Sequence, residues 1–359
     1  MKVSQVLAHI ESFAPLGLAL SWDNVGLLIG DRDWEVNKAY ICLDVTPNAV
    51  TQAITVGCNI IISHHPLIFR PIKGITNPLY IKLIQHNIAV ICLHTNLDVA
   101  KVSVNHILAQ KLGLEVLFPL SEESGAGSHR IVVYCPPEEA ERISEAAWEA
   151  GAGEIGNYKR CGTRHEVSGY FQAGNGSKPY LANADGIREL ALEFICDSMF
   201  LPTVLNAIHQ AHPYETPLIL HQPLTNHNPA YGLGLVGKFP SNLSLAEIAQ
   251  LTKKKLACSQ LKLWLAGSKA EDRIERIAIC GGAGGSLLSA AEAKAQLYIS
   301  GDISYHNFME SRIPIIDAGH FYTEYPVLDY LAEQLAALGL AYEVMPLSRH
   351  DYPLNMLIL

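Results

Sequence analysis

The sequence predicts an α/β protein, a core of parallel strands and covering helices interrupted by a smaller, ferredoxin-like α+β insert. Three observations carry this. Near-continuous apolar segments such as AYICLDV, CNIIIS and IAVICLH alternate with amphipathic helical ones, the pattern of strands buried on both faces between crossover helices. A polar break rich in Ser and Gly, PLSEESGAGSHR at 119–130, separates this block from a stretch of different organisation. From residue 231 the α/β pattern returns. At 359 residues the chain exceeds the roughly 100–200 of one ordinary domain, so an interrupted unit fits its length.

Taken in order, AYICLDV is a strand and TPNAVTQAITVG a helix, with Thr46 as N-cap and Pro47 in the first helical position. CNIIIS is the next strand, NPLYIKLIQHN a helix and IAVICLH a strand. VSVNHILAQKLG is a helix closed by Gly113. After the break come strand IVVYC, helix PPEEAERISEAAWEAG, extended chain to about Phe171, strand GIRELALEFIC, helix FLPTVLNAIHQAH and strand TPLILHQ. That order is close to the split β-α-β-β-α-β unit, and it ends near Asn228. The remainder reads as strand RIAICGG, a helix from Ser286, strand LYISGD, strand RIPIIDAGH, one long helix to Leu338 and strand AYEVMPL. We therefore divide the chain into a first core half at 1–125, an inserted domain at 126–230 and a second core half at 231–359.

Composition narrows the function classes. A net charge of −9 with 26 basic residues gives no electrostatic footprint for nucleic acid. Eight cysteines without any CxxC pair, several inside apolar runs, fit buried free thiols in a reducing compartment. His9 and Glu11 interrupt any signal-peptide core, and no apolar run approaches the ~18 residues of a membrane span, so a cytoplasmic protein without a membrane partner is expected.

The sharpest chemical feature is SHHPL at 63–67. His64 and His65 directly follow an apolar strand, at the edge where α/β sheets place ligands. Adjacent side chains at a strand end diverge, so the pair suits two ions better than one; the alternative is two solvent-facing loop histidines. The next strand ends in His94 and Asp98, beside the first pair if the strands are parallel. Asp98 can bridge two cations through its two oxygens, or simply cap the following helix. In IPIIDAGHFYTEYPV, His320 and Glu324 stand four apart where a helix begins and so share a face, though such a pair is also common on solvated helices. Three strand ends converging on imidazole and carboxylate make His64, His65, Asp98, His320 and Glu324 the candidate metal ligands. With no thiolate among them, the set favours zinc, iron, manganese or cobalt, and a pair of such divalent ions can generate hydroxide near neutral pH.

Asp302 and His306 in SGDISYHN, together with His94, are candidate proton-transfer groups, with loop backbone contacts as the alternative. CGGAGGSLL is a weak candidate phosphate cradle and a better tight strand-to-helix turn. AHPYETP, with His212, Tyr214 and Glu215, has no metal spacing and reads as a rigid turn or an oligomer contact. His9, His86, His129 and His350 read as ordinary histidines, and KKK at 253–255 as a solvated helix face.

With these motifs in order (DNVGLLIG, SHHPL, HTNLD, CGGAGG, GDISYH and DAGHFYTE), the chain resembles the Nif-three-like dinuclear-metal proteins, often labelled GTP cyclohydrolase I type 2 homologues. The resemblance covers essentially the whole chain; GAGEIGNYKRC, AHPYETP and YGLGLVG look like the insert of longer members. It implies a three-layer core, an insert like the small trimeric signalling and copper-tolerance domains, and a toroidal homohexamer whose metal sites face an interior cavity. It carries the family's ligands onto His64, His65, Asp98, His320 and Glu324, with two divalent ions per chain. Two departures stand out: KVS at 101–103 where members often have glycines, and Tyr325 where an arginine is common. Two functions follow from the resemblance and the site together. One is a metal-dependent hydrolase acting on a small molecule or nucleotide such as GTP; the other is a non-enzymatic metal-handling or regulatory hexamer.

Overall fold

The computed structural model describes residues 1–121, 127–180, 185–228 and 230–352. The chain divides into two units, one formed by Met1–Glu123 with Tyr231–Leu359 and the other by Ser124–Ala230.

In the first unit the apolar segments form two large sheets, beside a short antiparallel pair of Leu243–Ser244 with Arg273–Ile274. One has the order Gly26–Ile29, Ala89–Cys92, Ile60–Ser63, Lys38–Cys42, Ala341–Val344, parallel throughout except for its first strand. Its three central strands are buried almost along their whole length, as the uninterrupted apolar runs require. Helices Pro47–Thr55 and Pro78–Gln85 bury Val50, Ala53 and Leu83 against Tyr40, Ile61 and Val90 on one face. The other sheet has the order Lys262–Trp264, Ile315–Asp317, Leu297–Gly301, Ile277–Ala283, Leu233–Lys238, Glu115–Ser121. Its second to fourth strands are parallel and the flanking pairs antiparallel. Helix Val327–Ala337 packs on Ala341–Val344 and Lys38–Cys42 of the first sheet, and on helix Val104–Leu112, which in turn covers Ile277–Ala283 of the second.

Local signals explain the element ends. Thr46 accepts from the Ala49 amide (3.1 Å) and opens its helix, and Gly113 closes Val104–Leu112 at φ +88°. Three expectations are corrected. The long helix to Leu338 is two, His320–Glu324 and Val327–Ala337, because Pro326 has no N–H to continue the ladder. AYEVMPL does not complete the second block; its strand Ala341–Val344 pairs with Lys38–Cys42 of the first sheet, while Glu115–Ser121 from the first half joins the second, so the halves exchange strands. The resemblance puts YGLGLVG with the insert although the boundary at 231 leaves it in the core; it lies in this unit, as strand Leu233–Lys238 between Ile277–Ala283 and Glu115–Ser121.

The second unit has four antiparallel strands in the order Thr163–Tyr170, Asp185–Asp197, Gly127–Cys135, Ile219–His227. Helices Ala140–Glu149 and Leu201–Ala211 pack on each other and bury Ile143, Val204 and Ile208 against Ile131, Val133 and Phe194. The chain order is strand, helix, strand, strand, helix, strand.

Candidate metal centre

The parallel register aligns the strand ends that carry the candidate ligands. Ser63 pairs with Cys92, so His64 and His65 leave one strand beside the turn that leads to His94 and Asp98. The His64 and His65 amides still donate to the carbonyls of Cys42 and Leu43 (3.3 and 2.9 Å), which fixes the backbone under both rings. Asp98 lies in the one-turn helix Thr95–Val99 and His320 and Glu324 in His320–Glu324. Asp98 does not cap the next helix; Ser103 does, from the KVS segment that departs from the family pattern.

Each imidazole is held at Nδ1, which leaves Nε2 for a second partner. His64 donates from Nδ1 to the Leu93 carbonyl (2.7 Å), His65 to Asp44 Oδ1 (2.8 Å), His320 to Asp302 Oδ2 (2.8 Å) and His94 to Asp23 Oδ1 (2.9 Å). For three of them Nε2 then turns toward carboxylate. Glu324 Oε1 lies 3.6 Å from His64 Nε2, while its Oε2 lies 2.9 Å from His65 Nε2 and 3.0 Å from His320 Nε2. The His65 and His320 Nε2 atoms are only 3.3 Å apart, and Asp98 Oδ1 is 3.8 Å from His64 Nε2. One ligand atom each from His64, His65 and Glu324 fall within 4.8 Å of one another. Among the described residues none is within hydrogen-bond distance of the buried His64 Nε2, the Glu324 oxygen at 3.6 Å lying just beyond it. Burial opposes charge on this ring, but Glu324 and Asp98 raise its affinity for a proton, so a cation is favoured at that atom, as a proton or as a metal ion. The residues present therefore fit a metal site.

Electrostatics give the same result. Burial works to lift the Glu324 carboxyl, but the imidazoles of His64, His320 and His65 overcome it and hold the group well below the usual carboxylate range. Burial opposes charge on His65 and His320 too, yet Asp44 and Glu324 push His65 up to about 10, and Glu324 with Asp302 pushes His320 up to about 9. Asp98 is raised by burial. Such a cluster is filled either by protons or by metal cations.

The glycine-rich turn serves the carboxylate rather than a phosphate. Gly282 has φ +69°, and a Cβ there would run into Glu324 Oε1. A Cβ at Gly301 would likewise strike the backbone at His320, so this glycine admits the turn that presents His320.

Of the three proton-transfer candidates, Asp302 is occupied in holding His320 and adopts φ +52° to do so. His306 stands exposed on helix Tyr305–Glu310, and among the described residues no hydrogen bond or ion pair ties it to the cluster. His94 lies next to the cluster, its ring 5.5 Å from that of His64 and 5.8 Å from that of His65. Sequence reading missed two residues. Asp44, near the end of AYICLDV, shares the strand-end position of the candidate ligands and holds His65, and Asp23, in DNVGLLIG, holds both His94 and the Thr95 amide. Tyr325, the second departure, donates its hydroxyl to the Met345 carbonyl (3.3 Å).

Residues 1–353 match the family described as Duf34/NIF3 (NGG1p interacting factor 3). A Staphylococcus epidermidis protein named GTP cyclohydrolase 1 type 2 homolog is 34% identical over 354 residues, 96% of this chain and 95% of its own. One of the same name from Halalkalibacterium halodurans is 33% identical over 88% of this chain and 87% of its own. The crystal structure of a Bacillus cereus protein related to NIF3 matches with a TM-score of 0.82 at 32% identity, covering 98% of both chains. A Staphylococcus aureus crystal structure gives 0.74 at 29%, covering 97% of both.

Proposed function

The chain belongs to the Duf34/NIF3 family, and from that premise we propose that it holds two divalent metal ions on His64, His65, Asp98, His320 and Glu324 and acts as a metal-dependent hydrolase. The observation that carries the metal site is the buried, unpartnered His64 Nε2 among carboxylates, beside two further imidazoles whose Nδ1 atoms are already committed. Glu324 would be the central carboxylate of the set, since its Oε1 faces His64 and its Oε2 faces His65 and His320. Divalent ions held there supply Lewis acidity and bring the ionisation of water toward neutral pH.

The chain's own residues supply the rest. Asp44 and Asp302 fix the tautomers of His65 and His320. His94 keeps Nδ1 on Asp23, whose carboxyl is held down at about 2 against the pull of burial by His94 and Thr95, so Nε2 is the atom that takes and returns a proton. Trp22, half-exposed, stands beside His94 and 5.8 Å from the half-exposed Phe69, and the two rings offer a stacking surface for a planar base. A purine nucleotide fits that surface, and the name of the relatives points to GTP.

Self-association into a homohexamer belongs to the same reading. Edge strand Glu115–Ser121 exposes Val116, Leu117 and Phe118 in succession, a surface that a second copy would cover. Among the described residues no helix is long and apolar enough to cross a membrane.

The test is elemental analysis of the purified protein, followed by turnover of GTP and other nucleotides with each bound metal, with mass by light scattering alongside. Two ions per chain and GTP hydrolysis lost in His94→Gln with metal retained would sustain the proposal. Tight metal without turnover of any nucleotide would leave a metal-handling protein and remove the hydrolase.

A further inference from the structure

The second unit carries a cavity of about 630 Å3, within the roughly 300–1,000 Å3 of small-molecule sites. It is separate from the metal cluster, since every lining residue belongs to Ser124–Ala230. Five aromatic residues line it, Tyr134, Tyr170, Phe171, Tyr180 and Tyr214, with Tyr170 at its exposed rim. Two carboxylates, Glu189 and Glu215, stand among them, against the single cationic side chain of Lys178.

The arrangement is built rather than incidental. His212, the histidine of AHPYETP, uses both ring nitrogens on the turn: Nε2 donates to the Tyr134 carbonyl (2.9 Å) and Nδ1 accepts from the Tyr214 amide (3.1 Å). That pins Tyr214, whose hydroxyl donates to Glu189 Oε1 (2.7 Å). On the neighbouring strand, a Cβ at Gly169 would collide with Glu189 Oε2, so glycine there clears the space the carboxylate fills. Glu215 accepts from the Lys178 amide (3.0 Å) and ties down the loop that brings Tyr180 to 6.0 Å from Tyr214, ring to ring.

We propose that this cavity binds a small organic cation, a quaternary or protonated amine, through tyrosine faces and the Glu189 carboxylate. Electron-rich ring faces attract a cation, and two carboxylates against one ammonium give the lining the complementary sign. The same balance of charge disfavours phosphate-bearing ligands, which makes this site distinct in chemistry from the nucleotide site proposed for the core.

The experiment is calorimetric titration of the full chain with choline and benzyltrimethylammonium, using 3,3-dimethylbutan-1-ol as the uncharged counterpart of choline and adenosine monophosphate as an anionic aromatic. Saturable binding of the cations is expected, about tenfold or more tighter than the neutral alcohol, and weakened about tenfold in Glu189→Gln, whose amide oxygen still accepts from Tyr214. Tyr180→Ala, at a half-exposed position that the core does not need, should weaken the cations by a similar factor and serves if Glu189→Gln fails to fold. Absence of cation binding at millimolar concentration, equal affinity for the neutral alcohol, preference for adenosine monophosphate, or unchanged affinity in the folded variants would each overturn the proposal.

Discussion

The histidines of the core cluster and His212 of the second unit are the same side chain in opposite situations. His212 is buried with both nitrogens used, and burial lowers its affinity for a proton. His65 and His320 commit Nδ1 to a carboxylate and leave Nε2 facing Glu324, and their affinity for protons is raised in spite of burial. The contrast teaches that a ligand histidine is recognised by the nitrogen left over after its structural bonds are made. Neither burial nor a strand-end position distinguishes the two kinds.

The largest effect that would break this comparison comes from Glu324→Ala. Removing the carboxylate that faces three imidazoles should empty the core of metal, read by elemental analysis, while the fold persists. Metal retained at two ions per chain would show that the open nitrogens are not what holds it.

Next in size is the response to pH. In metal-free protein His65 and His320 hold protons that the unfolded chain releases near pH 6.5, since their native values are about 10 and 9. The stability they contribute is present in full below pH 6.5 and is lost as the pH rises through 9 to 10. Metal displaces those protons, so the gap in melting temperature between metal-loaded and metal-free protein should widen from pH 7 to 9. A metal-free melting temperature that is flat over this range in the parent, and no different in His65→Gln, would contradict it.

Smaller still is Asp44→Asn. The amide cannot fix the His65 tautomer as the carboxylate does, and metal affinity should fall by about 10–100-fold without loss of the site. For His212→Ala the prediction has the opposite character: metal content unchanged, but stability reduced by about 2 kcal/mol in chemical denaturation, from two lost hydrogen bonds at a buried residue. Metal loss in that variant would blur the distinction between the two kinds of histidine.

The candidate cluster was legible because His64, His65, Asp98 and His320 each stand shortly after an apolar strand, and strand ends in a parallel sheet fall together. The exchange of strands between the halves was not legible: nothing local in AYEVMPL says which sheet its edge will join. Asp44 and Asp23 were hidden for a related reason, because a carboxylate that orients a histidine far away in the chain leaves no spacing pattern of its own. Gly282 of CGGAGG was visible, but the group it makes room for, Glu324, lies more than forty residues along the chain. His212 stood in a motif whose Pro residues announced a rigid turn, and the structure adds what the turn presents, Tyr214 and Glu215 at a cavity.

The smallest expected effect is that of His306→Ala. The spacing in SGDISYHN made His306 as good a proton-transfer candidate as His94. The structure separates them. His94 has a carboxylate partner and two cluster imidazoles within 6 Å of its ring, whereas His306 is exposed and its ring contact is with Tyr305, itself exposed, at 5.5 Å. A solvent-facing side chain with no hydrogen bond contributes within about 0.5 kcal/mol to stability, so melting and metal content should match the parent. Turnover should also be unchanged, while His94→Gln lowers kcat. If His306→Ala instead cuts kcat more than tenfold with metal retained, the exposed face of helix Tyr305–Glu310 takes part in the reaction, and proton transfer must be assigned to a residue that closes over the site with substrate bound.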